Sequence, residues 1–156
     1  MQFADRVVVR AAPARVWEFL LDPERIARCF PQVDRLDRLG PTTVRASVPV
    51  RVAFLTLRVV VDIDLVDQLP PERATFHVHA TGPGSTVDGR ASFTLTADDR
   101  EATVEGPAGG STVVAWSVDV EPKGMAASVG PDTVQRQAEP VLRRAIDCLR
   151  SSVETG

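Results

Sequence analysis

The alternation of apolar and polar residues predicts a chain made mainly of strands and closed by one long helix. From Leu55 to Leu65 every second side chain is apolar, which is the period of a strand with one buried face. From Asp132 to Val153 the apolar positions recur every three or four residues, as in a helix that buries one side. Asp132 is expected to cap this helix, with Gln135 completing a capping box. At about 1.5 Å per residue the helix would be about 33 Å long.

The remaining segments predict an order of strand, two short helices, six strands and the final helix. Short helices are expected to begin at Pro13 and Pro23, because proline suits the first turn of a helix. The predicted strands cover residues 3–11, 35–39, 43–50, 55–66, 73–81, 87–97 and 113–121. Residues 98–111 are expected to form a long hairpin connection, and residues 122–131 a linker to the helix. This order predicts an α+β fold, in which a curved, mainly antiparallel sheet of about seven strands wraps around the C-terminal helix.

Composition narrows the class of protein. The 156 residues are expected to form a single domain, residues 1–156. The net charge of −3 and the scattered arginines argue against a nucleic-acid partner. No run approaches the roughly 20 apolar residues of a membrane span, and the N-terminus lacks the apolar core of a signal peptide. Cys29 and Cys148 are far apart in sequence, without a CxxC motif. We therefore expect a reduced, cytoplasmic protein in which Cys29 is a buried, inert thiol.

Two pairs of polar residues are candidates for chemistry. His77 and His79 share one strand face, about 6.6 Å apart, and two imidazoles at this spacing could bind one metal ion. No third ligand lies nearby in sequence, so a solvated face is the preferred interpretation, and we expect no metal and no cofactor. Asp62 and Asp64 could form a general acid/base pair, but they alternate with an unbroken apolar row. They are therefore expected on the solvated outer face of the sheet.

The sizes of the facing side chains leave two structures open. The final helix presents small groups at Ala138, Ala145 and Cys148, whereas the sheet offers medium and large apolar residues. Small groups permit close packing of helix on sheet, which is the usual state of protein interiors. They also permit a preformed apolar pocket for a small molecule. Side-chain size alone does not decide between these structures.

Several short motifs point to a known family. They are Ala12-Pro13 followed by Val16-Trp17, Leu21-Asp22-Pro23, Cys29-Phe30-Pro31, residues 36–40, Leu69-Pro70-Pro71-Glu72, and residues 82–89 leading into Ala91-Ser92-Phe93. Through these motifs the chain resembles the START-like, helix-grip superfamily, also called SRPBCC. Within that superfamily it is most similar to the carbon monoxide dehydrogenase G-subunit family.

The resemblance favours the pocket and implies a function. Helix-grip proteins commonly hold an apolar ligand between the sheet and the last helix, so we expect a hydrophobic guest such as a quinone, an isoprenoid or a lipid. The G-subunit family implies an accessory protein for a molybdenum hydroxylase of the carbon monoxide dehydrogenase type. Any membrane contact is expected to be peripheral, at the inner face of the membrane. The residues expected to line the cavity are Trp17, Phe30, Leu57, Val59, Phe76, Phe93, Trp116, Val134, Ala138, Val141, Leu142 and Ala145.

Two alternatives to a binding protein remain open. The superfamily also includes polyketide cyclases and dehydratases, so the same cavity could host an enzyme with His77, His79 or Asp119 as its polar groups. The alternation assigns all three side chains to the outer face, and for this reason we expect a binding protein rather than an enzyme. The second alternative is a small protein-interaction domain with a filled core.

Overall fold

The strands form one antiparallel sheet of seven, in the order β1-β7-β6-β5-β4-β3-β2. A computed structural model describes residues 1–52, 55–98, 110–128 and 130–155. The strands are β1 (Gln2–Val9), β2 (Arg35–Arg38), β3 (Thr43–Val52), β4 (Leu55–Leu69), β5 (Arg73–Gly82), β6 (Ser85–Ala97) and β7 (Thr112–Gly124). All seven predicted strands are present. Most of the predicted 98–111 connection lies outside the described residues.

Three α-helices accompany the sheet: α1 (Pro13–Leu20), α2 (Pro23–Ala27) and α3 (Pro131–Thr155). The Asp22 carboxylate caps α2, because it accepts hydrogen bonds from the backbone N–H groups of Glu24 and Arg25 at 3.1 and 3.4 Å. Proline occupies the first position of both short helices, where its missing N–H is not needed. The predicted α+β fold, with two short helices after β1 and a long C-terminal helix, is confirmed.

The segment between β7 and α3 differs from its prediction as a linker. β7 continues to Gly124 and is followed by a 3-10 helix, Met125–Ser128. Gly124 has a positive φ of 71°, and a Cβ there would collide with the carbonyl oxygen of Gly84. Met125 N–H donates to that same oxygen at 2.8 Å. Glycine is therefore required where β7 turns against the β5–β6 hairpin.

The predicted cap of the long helix is wrong. α3 begins at Pro131, so Asp132 lies inside the first turn. The carbonyl oxygen of Gly130 accepts the first bonds, from Thr133 N–H at 3.1 Å and Val134 N–H at 3.2 Å. A proline suits the first helical position, and the helix starts two residues earlier than the capping-box pattern suggests.

The register of the strands confirms the predicted division of the sheet into two faces. Directly opposed residues on neighbouring strands point to the same side. Trp116 opposes Phe93, and Phe93 opposes Ala74. Phe93 and Ala74 are buried, so this row faces inward. We call the inward side the concave face. The following residues of β1 and β3–β7 define it: Phe3, Val7, Val44, Ala46, Val48, Val50, Leu57, Val59, Val61, Ile63, Leu65, Ala74, Phe76, Val78, Ala80, Val87, Gly89, Ala91, Phe93, Leu95, Val114, Trp116, Val118 and Val120.

The opposite face of the sheet holds paired polar groups. Asp62 accepts from Arg45 at 2.7 Å, and Asp64 accepts from the hydroxyl of Thr43 at 2.9 Å. His79 Nδ1 lies 2.6 Å from Asp88 Oδ1. Over the described residues, no three His, Cys, Asp or Glu side chains are close enough together to hold a metal ion.

The buried core lies where α1 and the end of α3 pack on β1, β6 and β7. Phe93 is its central ring, with its centroid 5.7 Å from that of Trp17 in an edge-on arrangement and 6.1 Å from that of Phe76. The buried members are Val9, Ala11, Val16, Phe19, Cys29, Ala74, Phe93, Leu95, Val114 and Val153. This end of the sheet is therefore filled with side chains.

The two cysteines form a disulfide, contrary to the predicted free thiol. Cys29 follows α2, Cys148 lies in α3, and their Cα atoms are 5.5 Å apart. The packing of the core brings the two cysteines together, because α1 and α2 fold back onto the last turns of α3. The bridge joins positions separated by 119 residues, a distance in sequence that concealed the pair.

Helix α2 is also tied to the sheet by an ion pair whose effect can be measured. Arg38 of β2 donates two bonds to Glu24, at 2.9 and 2.6 Å. These bonds lower the pKa of the Glu24 carboxyl from 4.5 to about 2. Because the folded pKa is the lower one, the pair stabilises the fold above about pH 4.5, and its contribution is lost as the pH falls toward 2. NMR titration of the Glu24 side-chain carboxyl should therefore give a pKa of about 2.

Substitution of the arginine provides the control for that titration. In Arg38→Gln the pKa of Glu24 should return toward 4.5. In Arg35→Gln, whose side chain pairs with Asp37 instead, the pKa of Glu24 should stay low. An unchanged pKa in Arg38→Gln would contradict the assigned pairing.

One edge of the sheet is short. β2 has four residues and pairs only with Val44–Ser47 of β3. The second half of β3, which includes Pro49, extends past the end of β2.

Candidate ligand-binding site

The concave face is continuous and apolar but only partly covered. Near the middle of β4 and β5 its side chains, including Val59, Val61, Ile63 and Val78, are half-buried. Towards the β3–β4 hairpin the exposed fraction rises to 39% at Val50. A strand face with this composition is normally covered. The uncovered part is the first candidate for a binding surface.

Small residues form the middle of this face. Ala80, Gly82, Gly89 and Ala91 occupy its positions on β5 and β6. At Gly89 a Cβ would lie 2.9 Å from the carbonyl oxygen of Asp119 and 3.0 Å from Val120 Cγ1, so a side chain there does not fit without movement. At these positions the face is formed by backbone and short side chains.

Helix α3 packs against the core through its C-terminal half only. Cys148, Leu149 and Val153 contact the buried cluster. In the N-terminal half, Val134 and Ala138 are half-buried and lie outside that cluster. The helix is therefore held closely at one end.

A pocket of about 440 Å³ lies between strand β1, Trp116 and this helix. We call it the β1–α3 pocket. Its volume is in the range of pockets that bind small molecules, about 300–1,000 Å³. It is lined by residues 2–7 of β1, Trp116, Gln135, Glu139, Leu142, Arg143, Ile146 and Asp147.

The β1–α3 pocket combines an apolar wall with polar groups. Phe3 and Val7 belong to the concave face, and Asp5 lies between them on the same side, opposite Trp116. Gln135 Nε2 donates to Glu139 Oε1 at 3.1 Å on the helical wall. The indole Nε1–H of Trp116 is shielded from solvent and has no hydrogen-bonding partner among the described residues. Such a donor is costly unless it is satisfied.

A family comparison identifies the class of protein that carries this pocket. The family model described as the G subunit of carbon monoxide dehydrogenase (CoxG) matches residues 6–154, nearly the whole chain. The chain belongs to the CoxG family. The match includes Trp116 and the helical wall of the β1–α3 pocket, but only Arg6 and Val7 of its β1 wall.

Solved structures show that the CoxG-family chain has the START-like fold. A conserved protein from Geobacillus kaustophilus is similar with a TM-score of 0.81 and 17% identity, over 98% of this chain and 95% of that one. A START superfamily protein from Mycobacterium smegmatis gives 0.68 and 18%, over 99% and 97%. The Zhui aromatase/cyclase from a Streptomyces species gives 0.60 and 18%, over 99% and 92%. No curated protein sequence matches the chain significantly.

The residues predicted to line one cavity in this CoxG-family chain occupy three places. The aromatic residues Trp17, Phe30, Phe76, Phe93 and Trp116 join or border the buried core. Leu57 and Val59 lie half-buried on the far part of the concave face. On α3, Val134, Ala138, Val141 and Leu142 are half-buried and Ala145 is buried. Of all twelve, only Trp116 and Leu142 line the β1–α3 pocket.

The sequence analysis missed the β1 wall and the polar rim of this pocket. The alternation of β1 places Phe3 and Val7 on one face, and Asp5 shares it because it is two residues from each. Ile146 lies one helical turn after Leu142, which was the available signal on α3. Glu139 and Arg143 lie outside the apolar stripe of α3, and they line the pocket.

The candidates for an enzymatic site are not brought together inside. His77 opposes Arg90, which opposes Asp119, all in one outward-facing row. His79, also on that face, pairs with Asp88. None of the three candidate residues lines the β1–α3 pocket.

Proposed function

We propose that this CoxG-family protein is a non-catalytic carrier or holder of a hydrophobic molecule, bound on the concave face beneath the N-terminal half of α3. The family and fold are those of ligand-binding or cyclase-like proteins. The observation that carries the proposal is the large apolar face whose residues, such as Val61 and Ile63, are only half-buried. A guest covering it would gain about 2.5 kcal/mol for each 100 Å² of apolar surface removed from water.

The polar groups of the β1–α3 pocket support a guest with an apolar body and a polar head. The unpartnered indole N–H of Trp116 is a donor, so it suits a carbonyl oxygen. A quinone has such oxygens and carries an apolar tail, whereas a plain hydrocarbon would leave the donor unsatisfied. A quinone, or a lipid with ester carbonyls, therefore fits better than an isoprenoid hydrocarbon.

The polyketide cyclase or dehydratase alternative receives less support. Such an enzyme needs acid and base groups converging on the bound substrate. Its candidates, His77, His79 and Asp119, lie on the outward face of the sheet. The Zhui aromatase/cyclase shares the fold at 18% identity, and a shared fold does not by itself carry an activity.

We also propose an accessory role beside a carbon monoxide dehydrogenase-type molybdenum hydroxylase, with peripheral contact to the membrane; the family match supports the link to carbon monoxide dehydrogenase. Within the described parts of the chain, no helix has the length and apolar content required to cross a bilayer. Val50, Leu55 and Met125 are exposed apolar side chains at the end of the sheet where β3 meets β4 and β7 ends. They supply apolar contacts for a membrane surface at the open end of the concave face.

Co-purification tests this accessory role. The tagged chain should co-purify with the subunits of a molybdenum hydroxylase, and should sediment with membranes in a salt- or carbonate-extractable form. Recovery of the chain without hydroxylase subunits and entirely in the supernatant would contradict both the accessory role and the membrane contact.

A cytoplasmic location, as predicted from the sequence, is part of this proposal. The disulfide argues against that location, because disulfides persist mainly in oxidising compartments. Alkylation of thiols in intact cells, before lysis, tests it. Two free thiols per chain support the cytoplasm, and a protected pair places the protein outside it.

Binding of a menaquinone analogue tests the site itself. Val60 and Val61 are neighbours on β4, both half-buried, but Val61 faces the concave side and Val60 the outer side. Val61→Asp should weaken binding at least about tenfold, since a carboxylate must be desolvated beneath the guest. Val60→Asp is the matched control and should bind like the wild type.

Titration of the quenching of tryptophan fluorescence, together with native mass spectrometry of the purified protein, gives the readout. A retained mass of lipid or quinone size in the wild type supports the proposal. Equal affinity of the Val60→Asp and Val61→Asp variants would remove the concave face as the binding site.

A further inference from the structure

A second pocket, of about 280 Å³, lies between α1, α2 and the last turns of α3. We call it the arginine pocket. It shares no residue with the β1–α3 pocket. It is lined by Arg15, Phe19, Arg25, Arg28, Ser152 and Val153. From this lining we infer that the arginine pocket binds a phosphate group, either of a soluble phosphate compound or of a lipid headgroup.

The first argument is uncompensated charge. The chain carries a net charge of −3, yet three arginines line one small pocket. Arg25 has a partner in Asp22, at 3.3 Å, and that carboxylate also caps α2. Within the described residues, Arg15 and Arg28 form no ion pair and no side-chain hydrogen bond. Like charges held together repel each other, so an anion between them would be bound favourably.

Neighbouring acidic groups do not neutralise the pocket. Glu154 follows the pocket residues on α3, but its carboxylate accepts from Arg10 N–H at 3.0 Å and lies 3.7 Å from Arg150. Glu24 of α2 is engaged by Arg38 of β2. Both carboxylates therefore form their hydrogen bonds and ion pairs with residues outside the arginine pocket.

The chemistry of the lining favours a phosphate. Guanidinium groups bind phosphate oxygens through paired, charge-assisted hydrogen bonds, and the hydroxyl of Ser152 adds a donor. Phe19 and Val153, at 5% and 2% exposed, form an apolar floor that suits the carbon part of a phosphate ester. The volume lies just below the usual range of small-molecule pockets, so the pocket fits a headgroup rather than a whole lipid.

The pocket is held in shape before any ligand arrives. Arg25 and Arg28 belong to α2 and its C-terminal end, and the next residue, Cys29, is bonded to Cys148 of α3. Ser152 lies one turn beyond Cys148. The disulfide therefore fixes the distance between the two walls, which reduces the entropy lost on binding.

Titration of the oxidised full-length chain with inorganic phosphate, followed by NMR, tests the inference. Signals of the pocket residues should shift saturably. Arg15→Gln/Arg28→Gln should weaken binding at least about tenfold, because two charge-assisted contacts are removed. Arg35→Gln/Arg90→Gln removes the same charge from exposed positions elsewhere and should bind phosphate normally. No saturable shift, or equal weakening in both double variants, would overturn the inference.

Vesicles distinguish the two sources of phosphate. If the headgroup of a lipid is the ligand, vesicles of phosphatidylglycerol should bind the wild type better than Arg15→Gln/Arg28→Gln, and vesicles of phosphatidylcholine should bind neither. If the protein binds phosphate but vesicles of phosphatidylglycerol bind the wild type and the variant equally, the ligand is a soluble phosphate compound. Shifts produced by polyglutamate but not by phosphate would overturn the assignment. The binding of a menaquinone analogue should be the same in all these variants, so this inference and the proposed function fail separately.

Discussion

Phe93→Ala should lower the free energy of unfolding by about 4 kcal/mol. The ring is 8% exposed and contacts both Trp17 and Phe76. Its removal leaves a cavity at the junction of β5, β6 and α1, where the surrounding side chains are held by the sheet and cannot fill it. Chemical denaturation, monitored by circular dichroism, measures the difference.

Thr94→Ala is the matched control for this substitution. Thr94 is the next residue on β6, exposed on the outer face, and its replacement should change the free energy of unfolding by no more than about 0.5 kcal/mol. A similar small change for Phe93→Ala would show that the filled end of the sheet is not the stabilising core.

Loss of the disulfide should lower the free energy of unfolding by about 4 kcal/mol, as much as the loss of the Phe93 ring. The bridge closes a loop across 119 residues, and cross-links over long loops remove the most conformational entropy from the unfolded chain. Cys29→Ser/Cys148→Ser should therefore unfold at lower denaturant concentration than the oxidised wild type. The same measurement after reduction of the wild type should give the same shift.

The reductant supplies its own control. It should not change the unfolding of Cys29→Ser/Cys148→Ser, which has no bond to reduce. Equal stability of the oxidised wild type and the double variant, or two reactive thiols in the wild type denatured without reductant, would contradict a stabilising bridge.

Much of the fold follows from local patterns in the sequence. The alternation from Leu55 to Leu65 and the helical spacing after Asp132 define elements by the periodicity of their own side chains. These elements are β4 and α3 of the structure. The order of the strands in the sheet, with β1 beside β7, was not predicted, because local periodicity does not contain it.

The errors involve contacts between distant segments. Whether β7 stops at residue 121 or continues to Gly124 depends on the backbone of Gly84. The pairing of Cys29 with Cys148 depends on α2 meeting α3. Neither contact leaves a periodic signal in sequence. A single sequence therefore predicts the helices and strands better than it predicts the contacts between them.

The candidate site shows the same limit. Alternation correctly predicted which side chains face inward, so Trp116 and Val59 were both expected at the cavity. Which part of the face is filled and which part is open depends on where α3 is fastened. The disulfide and Val153 fasten it at its C-terminal end, and this asymmetry leaves the N-terminal half of the helix above half-buried residues.

The short strand β2 limits how copies of this protein can associate. Edge strands with free N–H and C=O groups recruit other chains into continuous sheets. Here the outermost strand is four residues long and carries Arg35, Asp37 and Arg38. Beyond its end, β3 includes Pro49, which has no N–H to donate. This edge of the sheet is thus a poor template for intermolecular β-pairing, although the side chain of Val50 beside it is exposed.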